Sequence, residues 1–174
     1  MGEKISIITI SYNSERTIEK TMKSVLEQSY RPLEYVLVDG NSKDDTIRLI
    51  ESYIPQFEKA GIEVVFHSEP DKGISDAFNK GINRATGDII GITNTDDAIL
   101  PDTLQYVADN FPTDVDVFYG NILWEDTVRN INYVRKSSAD LSDLKFKLKA
   151  LHPAVYIRET LKNSTFSSTN HPRG

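Results

Sequence analysis

Two adjacent carboxylates, Asp96 and Asp97, come after Asn94 and Thr95 at the end of a short segment of five mostly apolar residues rich in isoleucine. That segment has the composition of a buried strand. Two like charges held close together raise each other's pKa unless a positive charge lies beside them. Mg2+ or Mn2+ would remove this repulsion, and such ions usually bind together with a substrate phosphate. The alternative is an ordinary turn, with aspartates at turn positions and at the start of the next helix.

The composition is typical of a globular protein of one domain, which we predict at residues 1–160, followed by a polar and disordered tail at 161–174. The net charge of -6 argues against a nucleic-acid partner, because no basic field covers the chain. The chain has no cysteine, which excludes disulfides, zinc-thiolate sites and thiol nucleophiles. No apolar run has the length of a membrane span or of a signal peptide. The sequence therefore predicts a cytoplasmic protein, and peripheral contact with a membrane stays compatible with it.

Strands and helices alternate four times in the first half of the sequence, which is typical of an open parallel sheet with helices on both faces. The apolar patterns predict strands at 4–11, 33–39, 62–67 and in the segment before Asn94, with helices at 14–28, 42–53, 74–85 and 101–111. Further along, they predict strands at 115–120 and 131–135 as a hairpin-like pair, a partial helix at 137–151 and a last strand at 154–157.

Local capping signals predict where the helices begin and end. Ser14 is expected to cap the first helix, and Ser42 with Asp45 to form a capping box for the second. Pro101 fits the first position of the fourth helix. Gly87 is predicted to end the third helix.

Polar side chains follow each predicted strand at its carboxyl end, where ligands bind in open parallel sheets. They are Tyr12 and Asn13 after the first strand, Asp39 after the second, Asp71 and Lys72 after the third, and Asp96 and Asp97 after the fourth. Neither the glycine-rich dinucleotide motif nor a P-loop is present, so a metal clamp on the two aspartates would hold phosphates instead.

Three of these side chains have chemistry that suits a nucleotide. Tyr12 offers a ring for stacking on a base, Asp39 can accept from a base N–H or a ribose hydroxyl, and Lys72 can neutralise phosphate charge. Each also has a structural alternative. Tyr12 would be a packed aromatic, Asp39 a cap near Ser42, and Lys72 a solvated surface charge.

Four motifs, in order over the first hundred residues, resemble those of the family 2 glycosyltransferases, which have the GT-A fold. They are SIITISYN at 6–13, VDGNSKDDT at 38–46, EPDKGISDAFNKGINRATGD at 69–88 and NTDD at 94–97. The resemblance implies a nucleotide-diphosphate-sugar donor, with uridine expected before guanosine, and a divalent metal. It also implies an inverting single displacement onto a glycan or lipid-linked acceptor, as in bacterial polysaccharide biosynthesis.

The resemblance also implies roles for the strand-end residues. Asp97 is the preferred metal ligand, with Asp96 beside it. The residues expected to bind the nucleotide-sugar are Thr9, Tyr12, Asn13, Asp39, Asp71, Lys72, Asp76 and Asp96.

The general base cannot be assigned from the sequence, and the C-terminal part looks incomplete for this family. Glu159 is the only acid after His152, while Asp140 and Asp143 look like solvated helix residues. His152 is balanced between a metal or phosphate ligand and a structural role. Three alternatives stay open: a donor-binding domain without transferase activity or a truncated one, a sugar nucleotidyltransferase, and a receiver-like signalling domain with a phosphoacceptor aspartate.

Overall fold

The computed structural model describes residues 2–126, 128–137 and 152–162, and this part of the chain has an α/β fold. The strands are β1 (Ile5–Ser11), β2 (Leu33–Asp39), β3 (Ile62–Ser68), β4 (Ile89–Ile92), β5 (Val117–Tyr119), β6 (Ile122–Asp126), β7 (Ile131–Arg135) and β8 (Val155–Arg158). The helices are α1 (Ile18–Leu26), α2 (Thr46–Lys59), α3 (Ile74–Arg84) and α4 (Thr103–Asn110), with 3-10 turns at His152–Ala154 and Glu159–Leu161.

Six strands form one sheet in the order β3-β2-β1-β4-β8-β5. The first four are parallel to each other, and β8 lies antiparallel between β4 and β5. Because β5 is antiparallel to β8, it runs in the same direction as β4. The carboxyl ends of β1 to β5 therefore meet at one edge of the sheet.

Helices cover both faces of this sheet, which confirms the predicted α/β class. Side chains of β1 alternate between the faces, so that Ile5 and Ile7 point one way and Ile8 the other. The first face packs against α1, α2 and α4, and the second packs against α3. In the described part of the chain, none of the helices is long and apolar enough to cross a bilayer.

The helix starts predicted from local capping signals are wrong. Helix α1 begins at Ile18 rather than near Ser14, and α2 begins at Thr46, where Asp45 precedes it without a side-chain capping bond. The Ser42–Asp45 capping box is absent, because the Ser42 hydroxyl donates to Asp39 instead.

The limits predicted for α3 and α4 also need correction. Helix α4 begins at Thr103, two residues after Pro101, because Asp102 has a left-handed backbone with φ of 57°. Helix α3 ends at Arg84, and Ala85 already has an extended backbone, so Gly87 does not end it. Gly87 instead packs closely on β1, since a Cβ there would lie 2.6 Å from the Ser6 Oγ.

The hairpin prediction is partly wrong. Strand β7 pairs with β6, whereas β5 leaves this region and pairs with β8 in the main sheet. Strand β8 confirms the predicted last strand. Most of the helix predicted at 137–151 and most of the tail predicted at 161–174 lie outside the described residues.

A buried carboxylate, Glu34, links β2 to the segment after α3 at the amino-terminal edge of the sheet. It accepts hydrogen bonds from Ser6, from the Thr86 backbone N–H at 2.8 Å and from the Thr86 hydroxyl at 2.6 Å, and the Lys4 Nζ lies 3.3 Å away. Burial raises the pKa of Glu34. The hydrogen bonds from Ser6 and Thr86 and the charge of Lys4 outweigh burial, so that this pKa lies below its usual value.

Glu34→Gln is expected to lower the free energy of unfolding at pH 7 by about 1–3 kcal/mol. Since the pKa of Glu34 is lowered in the folded state, its ionised form stabilises the fold fully above the unfolded-state pKa of about 4.3. That stabilisation is lost as the pH falls through the lower folded-state pKa. Urea unfolding at neutral pH and near the folded-state pKa should therefore show a smaller pH dependence in the variant than in the parent.

Glu63→Gln is the matched control, because Glu63 also pairs with Lys4, at 2.6 Å, but its side chain is 60% exposed. We expect little change in stability for this variant. An equal loss in both variants would assign the effect to the charge of Lys4 and not to the buried hydrogen bonds of Glu34.

Candidate functional site

The residues predicted to bind a ligand gather at the carboxyl edge of the sheet. In the strand register Ser11 pairs with Asp39, and Asp39 pairs with Ser68, so the first three strands end side by side. The Thr93 N–H donates to the Ile8 carbonyl at 2.9 Å, which brings the end of β4 beside β1. The four loops that follow these strands therefore form one continuous rim.

The side chains of Tyr12 and Asp71 both approach the backbone of Gly40, and these three residues are called the Gly40 cluster. A Cβ atom placed on Gly40 would lie 2.6 Å from the Asp71 Oδ2 and 3.2 Å from the Tyr12 Cδ2. The Tyr12 side chain is 63% exposed, so it is not a packed core aromatic. A flat ring beside an acceptor carboxylate suits a nucleobase or a ribose.

Asp39 directly precedes Gly40 and is fully buried. Its Oδ1 accepts from the hydroxyls of Ser11 and Ser42, and its Oδ2 accepts from the Ser42 N–H at 2.8 Å and the Ser68 hydroxyl at 2.8 Å. Four donors match the capacity of a carboxylate. In the described structure Asp39 therefore makes the contacts of the structural alternative, and a direct ligand contact stays a prediction.

Thr9 is also buried, and its hydroxyl makes hydrogen bonds inside the protein at this edge of the sheet. Its hydroxyl donates to the Thr93 carbonyl at 2.8 Å and accepts from the Tyr35 hydroxyl at 3.0 Å. Burial raises the pKa of Tyr35, which keeps this phenol neutral and able to donate. Thr9 thus joins β1 to β4 below the rim, and its predicted contact with the nucleotide stays untested.

Asn13 connects the loop after β1 to the loop after β2. Its backbone has a left-handed conformation with φ of 47°. Its N–H donates to the Ser42 Oγ at 2.9 Å, and its Oδ1 accepts from the Lys43 N–H at 2.9 Å. Asn13 therefore fixes the loop that carries Tyr12 against the loop after β2.

Asp71 and Lys72 belong to the loop after β3, and Asp76 lies in the first turn of α3. The Asp71 Oδ1 accepts from the Gly73 N–H at 2.8 Å, and the Asp76 Oδ2 accepts from the Lys72 N–H at 3.0 Å. The Lys72 backbone N–H, with the charge of Lys80, holds the pKa of Asp76 below its usual value. Asp76 therefore stabilises the loop, whereas the Lys72 side chain is exposed.

The two carboxylates after β4 differ in their surroundings. Asp96 is exposed, whereas Asp97 is half-buried and its Oδ2 accepts from the Asn94 Nδ2 at 2.9 Å. The Thr21 hydroxyl on α1 lies 2.6 Å from the Asp97 carbonyl and 3.2 Å from the Asn94 carbonyl. Helix α1 thus fixes the backbone of the loop that carries both carboxylates.

These two carboxylates fit a hard divalent cation by their chemistry, because Mg2+ and Mn2+ favour oxygen ligands. Within the described residues, no three His, Asp or Glu side chains cluster closely enough to hold a metal by themselves. A cation of this kind is commonly held by one or two carboxylates together with substrate phosphates. Asp97 and Asp96 are the residues that would hold it here.

Three supporting residues escaped the sequence-based prediction: Ser11, Ser68 and Thr21. The two serines end β1 and β3 and pair in register with Asp39. Their positions at the ends of predicted strands could have indicated that they contact Asp39. Thr21 lies on the buried face of α1, where a polar residue with no obvious partner was the only hint.

Glu159 does not belong to this site. Its N–H donates to the carbonyl of Asp88, which precedes β4 at the amino-terminal edge of the sheet. Asp140 and Asp143 lie outside the described residues. The described structure therefore assigns no general base.

Comparisons with known proteins show the family and the fold of this chain. The sequence profile described as Glycosyl transferase family 2 matches residues 6–170. A PGL/p-HBAD biosynthesis glycosyltransferase of Mycobacterium bovis (strain BCG / Pasteur 1173P2) is 30% identical over 161 residues, which make up 90% of this chain and 59% of that protein. The chain thus spans about 59% of the length of the curated relative that it matches.

Two solved structures share the fold. S. aureus TarS 1-349 in complex with UDP-GlcNAc has a TM-score of 0.70 and 22% identity, and the match covers 92% of this chain and 47% of that one. The mannosyltransferase PcManGT from Pyrobaculum calidifontis, in complex with GDP-Man and Mn2+, has a TM-score of 0.57 and 24% identity over 67% of this chain and 35% of that one. At these identities the likeness supports the fold alone, and it confirms the GT-A-like prediction. With the profile match over nearly its whole length, the chain belongs to glycosyl transferase family 2.

Proposed function

We propose that this edge binds a nucleotide-diphosphate sugar with the help of Mn2+ or Mg2+, and that the sugar passes to a hydroxyl of a glycan or lipid-linked acceptor. The observation that carries the proposal is the approach of Tyr12 and Asp71 to Gly40 on the same rim as Asp96 and Asp97. An exposed ring for a base and a pair of carboxylates for a metal are the two halves of a nucleotide-diphosphate site.

The proposed reaction is a single displacement with inversion. The acceptor oxygen forms a bond to the anomeric carbon while the bond to the diphosphate oxygen breaks, and the hydroxyl proton passes to a general base. The nucleoside diphosphate leaves with the bonding electrons and therefore with added negative charge. A bound cation supplies electrostatic stabilisation of this charge. Asp96 and Asp97 would hold the ion, and Lys72, exposed on the loop after β3, would add positive charge to the same edge of the sheet.

The ligands named for the structural neighbours support the choice of donor. TarS was crystallised with UDP-GlcNAc, and PcManGT with GDP-Man and Mn2+. We therefore propose a uridine donor first and a guanosine donor second. The acidic net charge of -6 supports a small-molecule donor over a nucleic acid. A cytoplasmic location, with peripheral membrane contact, is part of the same proposal.

Calorimetric titration of UDP and GDP, each with Mn2+ and then with EDTA, tests this function on the chain as it stands. We expect one nucleotide to bind in Mn2+ and to bind much more weakly in EDTA. Binding of neither nucleotide would contradict the proposed donor site. Metal-dependent binding without sugar transfer to any acceptor would favour the alternative of a donor-binding domain without transferase activity.

Gly40→Ala is expected to weaken nucleotide binding about tenfold with little loss of stability, because small displacements of positioning groups have large effects on a site. The new methyl group would push the Asp71 carboxylate and the Tyr12 ring apart, and both are side chains that can move. Nucleotide titration and thermal unfolding of the same sample measure the two effects separately.

Gly120→Ala is the matched control on the same edge of the sheet. A Cβ at Gly120 meets only the Ala154 Cβ, at an ordinary distance of 3.9 Å. This variant should bind the nucleotide like the parent. If both alanine variants lost affinity equally, the Gly40 cluster would not be the nucleotide site.

A further inference from the structure

The β6–β7 hairpin carries an unusual concentration of exposed apolar side chains. It holds six of the eleven exposed large hydrophobic residues in the described part of the chain: Leu123, Trp124, Val128, Ile131, Tyr133 and Val134. Val128, in the turn between the strands, is 94% exposed. Contiguous exposed apolar surface of this kind marks an interaction site.

Both faces of the hairpin carry exposed apolar side chains, and the face of Leu123 and Val134 also carries Glu125 and Asn132. Leu123 pairs with Val134 on one face, and Trp124 pairs with Tyr133 on the other, where the two rings lie 6.4 Å apart at 27°. A two-stranded sheet that served the core would bury one of its faces. A protein partner or a sugar ring would cover one face, whereas insertion into an apolar medium accounts for both.

The charges of the hairpin favour an anionic surface. Its two acids have cationic neighbours: the Glu125 carboxylate lies 3.6 Å from the Lys20 Nζ, and the Asp126 carboxylate lies 3.9 Å from the Arg129 Nε. Arg135 and Lys136, at the base of the hairpin, are exposed and form no ion pair with the described residues. The whole chain is acidic, with a net charge of -6, so any attraction to an anionic surface has to come from such a local excess.

The hairpin emerges at the edge of the sheet that carries the donor site. Strand β5 runs parallel to β4, so its carboxyl end lies on that edge. Gly120 and Asn121 connect it to the first strand of the hairpin. The Ser137 hydroxyl donates to the Gly120 carbonyl at 2.6 Å and closes the base of the hairpin. Lys20, which contacts Glu125, is the neighbour of Thr21 on α1, and Thr21 holds the loop of Asp97.

We propose that the β6–β7 hairpin is a membrane anchor that inserts its turn and its aromatic pair into the interface of an anionic bilayer. Trp and Tyr favour the interface because each has an apolar body and a polar tip. The unpaired backbone groups on the edges of a two-stranded sheet keep the hairpin at this depth and out of the hydrocarbon core. Arg135 and Lys136 would then face the lipid phosphates, and the donor site would lie close to the membrane surface.

The chain provides its own probe, because Trp124 is the only tryptophan in the sequence. The protein would be mixed with vesicles of phosphatidylcholine alone and of an equimolar mixture of phosphatidylcholine and phosphatidylglycerol. We expect co-flotation with the anionic vesicles, a blue shift of the tryptophan emission and quenching by brominated lipids. Inorganic phosphate should produce none of these changes, which separates a lipid surface from a free anion.

Val128→Asp should reduce the partition coefficient about tenfold or more, since it replaces an inserted apolar group with a charge. The side chain is almost fully exposed, so the fold should be unaffected. Tyr106→Asp, at a 62% exposed position on α4, is the control with the same added charge and should partition like the parent. Arg135→Gln combined with Lys136→Gln should reduce binding to the anionic vesicles about 30-fold, at about 1 kcal/mol for each charge.

Unchanged tryptophan emission, or equal partitioning of the parent and Val128→Asp, would overturn the proposal. A concentration-dependent dimer that Val128→Asp abolishes, without vesicle binding, would assign the hairpin to a second copy instead. The inference deepens the peripheral membrane contact of the proposed function. Its failure is distinguishable from failure of the donor site, because Val128→Asp should leave the nucleotide titration unchanged.

Discussion

Asp97→Asn is expected to abolish the metal-dependent part of nucleotide binding and to leave the fold intact. Asp97 is half-buried on a loop that Thr21 holds in place, so its carboxylate is the better oriented of the adjacent pair. Removal of one ligand charge lowers the affinity for a hard cation strongly. We expect the nucleotide affinity in Mn2+ to fall about tenfold or more, towards the value measured in EDTA.

The fold should survive because the replacement has the same shape. The Asn94 amide donates to the Asp97 Oδ2, and the carbonyl oxygen of an asparagine can accept the same bond. Thr21 contacts the backbone carbonyl of residue 97, which the substitution does not change. Thermal unfolding of the variant should therefore resemble that of the parent.

Two further variants make this result specific. Asp96→Asn should have a smaller effect than Asp97→Asn, since Asp96 is exposed and fewer contacts orient it. Asp109→Asn removes the same charge from the surface of α4 and should leave nucleotide binding unchanged. If Asp97→Asn kept its full dependence on Mn2+, the metal would have to bind elsewhere, and the proposed donor site would be incorrect.

The sequence predicted the sheet well because its strands carry their signal locally. Runs of β-branched residues marked β1 to β4, and β2 has the predicted limits of Leu33 and Asp39. The parallel direction of the strands followed from the alternation of strands and helices. The same alternation placed the strand-end side chains on one edge. Each of these inferences needed only neighbouring residues and a rule about topology.

The predicted starts of α1 and α2 were wrong because the loops before these helices, about 30 residues apart in the sequence, bind each other. The Ser14 N–H donates to the Thr46 Oγ1 at 2.7 Å, the Glu15 N–H donates to the Asp44 carboxylate at 3.1 Å, and the Asp45 N–H donates to the Glu15 carboxylate at 3.0 Å. These bonds satisfy groups that local capping would otherwise satisfy. A rule that considers one loop at a time cannot detect such an exchange, and the same limitation hid the pairing of β5 with β8.

The role of Asp39 shows the same limitation within the site. Its predicted ligand contact stays a prediction, whereas the three hydroxyls that donate to it come from β1, from β3 and from the loop after β2 and could not be predicted locally. Burial of a lone carboxylate costs several kcal/mol. Hydrogen bonds to a charged group contribute about 1.5–3 kcal/mol each, so four of them outweigh that cost.

Asp39→Ala is therefore expected to lower the free energy of unfolding by about 3–5 kcal/mol, because it leaves several buried donors without an acceptor. Ser11, Ser42 and Ser68 would lose their common partner, and the ends of the first three strands would no longer be held together. Urea unfolding of the parent and the variant gives the difference directly. Nucleotide binding should weaken as well, since Tyr12 and Asp71 lie on the loops that these strand ends carry.

Ser68→Ala separates the positioning role from a ligand contact. It removes one of the four donors and should cost about 1 kcal/mol, while Ser11 and Ser42 still donate to Asp39. If Asp39 acts mainly by joining the strand ends, stability and nucleotide affinity should fall together across Ser68→Ala and Asp39→Ala. If Asp39 acts mainly by contacting the nucleotide, Asp39→Ala should lose affinity with little loss of stability, and Ser68→Ala should free an acceptor and bind at least as well as the parent. The buried network of four hydrogen bonds leads us to expect the first pattern.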